Sequence, residues 1–119
     1  MKYIEELKLK HSHAKRVHEH IKLKQKYPDR TPVIVDSLKD NLDDIKNHKF
    51  LVPNDITLAQ FMFIIRKQLT IKPEEALYFF ISENKTMETG SKTIAELNQK
   101  YADKDRFLYI YYDLESTFG

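Results

Sequence analysis

The side chains able to do metal, acid–base or nucleophilic chemistry are few and poorly spaced for it. His11, His13, His18 and His20 are four of the five histidines in the chain. On a helix, residues two apart point away from each other, and 13 and 18 are not a one-turn pair. The pairs 11/18 and 13/20 stand two turns apart, too far for a compact ion site. All four are expected as solvated side chains on a basic surface, and no metal site is expected. Ser82, Ser91 and Ser116 lack the glycine-bounded elbow that exposes a nucleophile, the only glycines being Gly90 and Gly119. With no cysteine there is no thiolate, no Cys-ligated zinc and no disulfide. The carboxylate pairs Asp43/Asp44 and Glu74/Glu75 are expected in loops or at a helix start, where water or the helix dipole accounts for them. No glycine-rich phosphate cradle is present. No nucleophile–base pair can be assembled, so an enzyme is not expected and no cofactor is called for.

What remains is a surface to be positioned. At 119 residues and 41% hydrophobic, the chain suits one domain with a real core. Residues 1–27 hold no Gly or Pro and favour helix, broken at His11-Ser12-His13, where Ser12 can cap a second helix. In that helix Ala14, Val17 and Ile21 share one stripe, while Leu23 and Glu19 project elsewhere. Tyr27-Pro28-Asp29-Arg30 is a turn, and Thr31–Val35 a β-branched strand. Phe50-Leu51-Val52, flanked by Lys49 and Pro53, has the marks of an edge strand. Thr57-Leu58-Ala59-Gln60 is a capping box opening a helix with Leu58, Phe61, Met62, Ile65 and Leu69 on one side, leaving Phe63 and Ile64 outside that stripe.

Pro73-Glu74-Glu75 suits a short helical turn. Leu77–Ile81 is continuously apolar and predicts a central strand covered on both faces. Thr93-Ile94-Ala95-Glu96 is a second capping box, with Ile94, Leu97 and Tyr101 on one helical face. Phe107–Tyr112 is the last strand. The order helix-helix-strand-strand-helix-strand-helix-strand predicts an α+β roll with the element order of a β-grasp. Residues 113–119 are expected as an extended, mobile tail.

Charge is uneven. Residues 1–30 carry nine Lys/Arg against four Asp/Glu, and the remainder eleven against fourteen. A basic helical segment therefore precedes a mildly acidic body, which offers no second basic stripe for a nucleic-acid backbone. The charged start Met1–Glu6 does not suit a signal peptide. The longest apolar runs, Ala76–Ile81 and Phe107–Tyr112, fall far short of the roughly 20 residues that span a bilayer. Unexplained apolar surface gathers at Leu23, at Ile64 and on both faces of residues 49–52. That pattern fits an extended peptide adding to an edge strand.

Three separated segments carry a resemblance: 26–35 (Lys-Tyr-Pro-Asp-Arg-Thr-Pro-Val-Ile-Val), 49–55 (Lys-Phe-Leu-Val-Pro-Asn-Asp) and 60–67 (Gln-Phe-Met-Phe-Ile-Ile-Arg-Lys). Glu75–Phe80, Phe107–Ile110 and Phe118-Gly119 continue it in order. Over residues 11–119 the chain resembles the autophagy-related ubiquitin-like modifiers, the family of yeast autophagy-related protein eight, GABARAP and microtubule-associated light chain three. The resemblance implies an α+β ubiquitin-like β-grasp with two additional N-terminal helices. Its parts would be a helical extension over 1–27, a core over 28–112 and a tail over 113–119.

It further implies conjugation of Gly119 to phosphatidylethanolamine, autophagosome formation, and docking of aromatic-x-x-aliphatic motifs from cargo receptors. The implied partners are activating and conjugating enzymes, a deconjugating cysteine protease and phosphatidylethanolamine membranes, but not nucleic acid. The protein would be monomeric and cytoplasmic before lipidation and on the autophagosome membrane afterwards. Carried over by position, Glu19, Leu23, Pro32, Lys49, Leu51 and Phe107 would line an aromatic pocket. Phe50, Val52, Pro53, Ile56, Phe61 and Ile64 would line an aliphatic one, and Arg30 and Lys49 would meet flanking acids. The chain departs from the family's pattern at His11-Ser12-His13 (usually His-Pro-Phe), at Gln68 (often basic) and at Phe50 (often Tyr). The alternative is a non-lipidated scaffold of the same fold in vesicle trafficking or cytoskeletal attachment.

Overall fold

The computed structural model describes residues 2–39 and 45–116. Helices α1 (Lys2–Lys10) and α2 (His13–Lys26) precede strands β1 (Arg30–Ser37) and β2 (Lys49–Pro53). Helix α3 (Leu58–Gln68), strand β3 (Glu75–Ile81), helix α4 (Ile94–Tyr101) and strand β4 (Leu108–Ser116) follow. The sheet order is β2-β1-β4-β3, with β1 and β4 parallel and both outer pairs antiparallel. This is the expected α+β β-grasp with two helices in front.

Alternation along the two central strands divides the interior. Val33, Val35, Leu108, Ile110 and Tyr112 join Leu58, Phe61 and Ile65 of α3 and Ile94 and Leu97 of α4. On the other face, Ile34, Phe107, Tyr109 and Tyr111 join Ile4 and Leu7 of α1, with Leu23 of α2 packed against them. The expected caps form: Ser12 Oγ accepts from Lys15 N, and both capping boxes, Thr57/Gln60 and Thr93/Glu96, are complete. Helix α1 is also tied by polar contacts. The Ile4 amide donates to Asp36 Oδ2 at 3.0 Å, and Tyr3 stacks on His48 at 3.8 Å.

Several expectations need correction. Strand β3 lies at an edge, not at the centre. Its apolar run alternates between buried Leu77, Phe79 and Ile81 and half-buried Tyr78 and Phe80, the latter packed on the α1 side of the sheet. A strand can thus be apolar on both faces without having two neighbours. Pro73-Glu74 forms a plain turn, closed by the Glu75 amide on Lys72 O, rather than a helical turn. Strand β4 runs on to Ser116 because β3 pairs with it that far, so 113–116 are not tail. Asp43, Asp44, Phe118 and Gly119 lie outside the described residues.

The largest correction concerns α2. Ala14 is exposed and Val17 and Ile21 only half-buried, while the one fully buried residue of the helix is His20. Asp105, with no exposure, explains the rotation. Its carboxylate accepts from Arg16 Nε at 2.9 Å, from the Tyr109 hydroxyl and from the Phe107 amide at 3.0 Å. An arginine met by a buried acid docks where apolarity alone would not send it. Burial and the Asp105 hydrogen bond push the Tyr109 phenol far above its ordinary range. Removing one partner of a buried pair leaves the other charged and unsolvated. Asp105→Ala is therefore expected to cost about 3–5 kcal/mol in urea unfolding, with Asp105→Asn losing less because it still accepts one bond.

Candidate peptide-docking site

Strand β2 has β1 on one side only. The Val35 amide donates to His48 O at 2.8 Å, which makes 35/48 a hydrogen-bonded pair. In an antiparallel ladder such pairs recur every second residue, so Val33/Phe50 and Thr31/Val52 are of the same kind. The main-chain groups of Phe50 and Val52 therefore turn inward, and those of Lys49 and Leu51 turn to the open edge. Pro32 stands opposite Leu51 in a non-hydrogen-bonded pair, so its missing N–H costs that ladder nothing. Arg30 reaches across the strand end, donating from Nη1 to Leu51 O at 3.1 Å.

Beside this edge lies a cavity of about 290 Å³ lined by Glu19, Leu23, Pro32, Val33, Lys49, Phe50, Leu51 and Phe107. All six residues expected at an aromatic pocket are among them, contributed by α2, β1, β2 and the residue before β4. Phe107 is 2% exposed and gives it a fixed base, while Leu23 and Leu51 are half-buried walls. Across the rim, Lys49 Nζ meets Glu19 Oε1 at 3.0 Å.

The second set is arranged differently. Val52 and Phe61 belong to the core, and the Phe50 ring stands edge-on to Phe61 at 5.6 Å. Ile56 is partly buried on the same core, Pro53 is half-buried and Ile64 is 42% exposed. The buried pair can only back this patch, and Pro53, Ile56 and Ile64 supply its accessible surface. Next to Ile64, Phe63 is 59% exposed with Lys67 Nζ 4.4 Å from its ring centre.

One residue behind the cavity was not legible beforehand. His20, expected in solvent, is 6% exposed with its ring edge-on to Phe107 at 5.1 Å. Burial lowers its pKa from 6.5, helped by Lys24 and Arg106 and opposed by Asp105. Its spacing of four from Arg16 and three from Leu23 is the trace of this face in the sequence. Among the described residues no three His, Asp or Glu side chains gather as a metal site, and no helix is long and apolar enough to cross a membrane.

The rim pair is half in water, where such pairs contribute little. Glu19→Gln is expected to change the urea unfolding free energy by less than about 1 kcal/mol. A larger loss would mean that the pair holds α2 in place.

The model of the family described as autophagy protein Atg8, ubiquitin-like, matches residues 15–119. The solved structure of Trypanosoma brucei ATG8 is similar at 35% sequence identity and a TM-score of 0.80, covering 95% of this chain and 97% of that one. With the β-grasp and its two leading helices, these matches show that the chain belongs to the Atg8 family of autophagy-related ubiquitin-like proteins.

Proposed function

We propose that this protein is a modifier joined through the Gly119 carboxylate to the amine of phosphatidylethanolamine, and that it docks aromatic-x-x-aliphatic motifs of cargo receptors at the β2 edge on autophagic membranes. The observation that carries the docking half is the cavity beside an edge strand whose Lys49 and Leu51 main-chain groups face outward. An added strand takes its hydrogen bonds there. Residues three apart on a strand point to opposite faces. An aromatic anchor at the first position would then enter the cavity on the α2 side. The aliphatic residue three on would reach Pro53, Ile56 and Ile64 on the α3 side. Arg30 and Lys49 would meet acids flanking the motif, the former sharing Leu51 O with the incoming strand.

The conjugation half rests on family membership. In that chemistry the glycine carboxylate is adenylated by ATP with loss of pyrophosphate, and a cysteine thiolate of the activating enzyme displaces AMP. After transfer to the conjugating enzyme, the lipid amine attacks the thioester and expels the thiol, leaving an amide that a deconjugating cysteine protease can hydrolyse. An unbranched last residue suits passage through narrow enzyme clefts. The acyl chains would provide the membrane anchor.

Two experiments test the halves separately. Incubation with ATP, competent activating and conjugating enzymes and phosphatidylethanolamine liposomes is expected to add a lipid-sized mass, absent in Gly119→Ala. No gain with a proven enzyme set would leave a non-lipidated docking scaffold. In calorimetry, Leu51→Ala is expected to weaken a Trp-x-x-Leu peptide by about 1–3 kcal/mol, since it strips apolar contact from a desolvated wall. Lys49→Glu should hurt acid-flanked peptides more than neutral ones. Unchanged affinity in the first or equal loss in the second would overturn the assignment.

A further inference from the structure

His20 is buried without explanation in the docking scheme. It stands between α2 and the Phe107 ring, and Nε2 is buried with no hydrogen-bond partner. The charged groups around it disfavour a further cation. Lys24 follows one turn later on α2, and Arg106 approaches from the turn before β4. Among the described residues Asp105 is the one acid that acts on it, and that carboxylate already accepts from Arg16, the Tyr109 hydroxyl and the Phe107 amide. A protonated imidazole here would be a charge in an apolar seam, beside two cations and an acid already engaged.

The seam is also the back of the cavity. Helix α2 brings Glu19 and Leu23 to it, and Phe107 forms its base. Anything that loosens α2 from Phe107 therefore separates the walls that would grip an aromatic anchor. Building on the docking reading above, we infer that His20 is a positioning residue whose neutral form keeps α2 seated on Phe107, so that aromatic docking weakens as the solution is acidified.

The sign follows from the direction of the shift. Because seating lowers the pKa of His20 below 6.5, the loosened state takes up the proton first. The contact is complete above 6.5 and is progressively lost as pH falls below that value toward the lowered one. Docking would accordingly weaken on acidification without any change in the ligand.

The test uses the full chain and a blocked Trp-Gly-Ser-Leu peptide with no titratable group, so that only the protein responds to pH. Calorimetry between about pH 7.5 and 5.5 brackets histidine titration. Affinity is expected to fall severalfold in the wild type and in His18→Gln, and to stay constant in His20→Leu. His20→Asn serves as the second non-titrating variant should the leucine fail to fold. No fall in the wild type, or the same fall in the His20 variants, would overturn the inference. Amide hydrogen exchange of α2, corrected for intrinsic rates, reads the seating without peptide. Faster exchange at the lower pH is expected in the wild type and not in His20→Leu, and pH-independent protection would overturn the proposal. If the peptide fails to bind at either pH while the exchange behaves as expected, the docking assignment falls and the His20 contact stands.

Discussion

Parallel pairing of β1 with β4 at the centre of a four-stranded sheet is the constraint on which the remaining structure depends. Residues 31–37 of β1 and 108–112 of β4 are buried on both faces, so each face needs its own cover. Helices α3 and α4 cover one, and α1 and α2 the other. Strands β2 and β3 are thereby pushed to the two edges. The open β2 edge is a consequence of where the parallel pair sits.

Helix α2 shows how a polar interaction can do what an apolar stripe ordinarily does. Arg106 adopts a left-handed backbone at φ 77°, unusual for a side chain of this kind, in the turn that turns Asp105 and Phe107 inward. Asp105 then collects three donors, one of them from α2. His20 and Leu23 follow Arg16 into the seam, and Glu19 reaches Lys49 across the cavity. The walls of the candidate site thus depend on a buried carboxylate that need not touch a ligand. Similar burial, next to Glu83 and Asp36, pushes the Tyr111 phenol up to about 12, so it remains a neutral part of the second core layer.

The two candidate surfaces differ in kind because they lie on opposite faces of one strand. On the α2 face, helix and sheet diverge around Leu23 and Leu51 and leave a hollow. On the α3 face, Phe50 packs edge-on against Phe61 and fills the space, so apolar surface is offered at Pro53, Ile56 and Ile64. An edge strand with a hollow on one side and a patch on the other suits anchors an odd number of residues apart.

Local chemistry alone determined much of this protein. Ser12, Thr57 and Thr93 announce helix starts because a cap is a contact between residues three apart. Lys49 and Pro53 mark an edge strand, and Leu23 and Ile64 stand out as apolar residues off their helix stripes. Interactions between distant residues were hidden for the corresponding reason. Arg16 meets Asp105 across 89 residues of chain, and no periodicity in α2 records that an acid waits there. The same blindness placed His20 in solvent and Leu77–Ile81 at the sheet centre. Apolar content states that a residue wants cover, and only the tertiary arrangement decides what covers it.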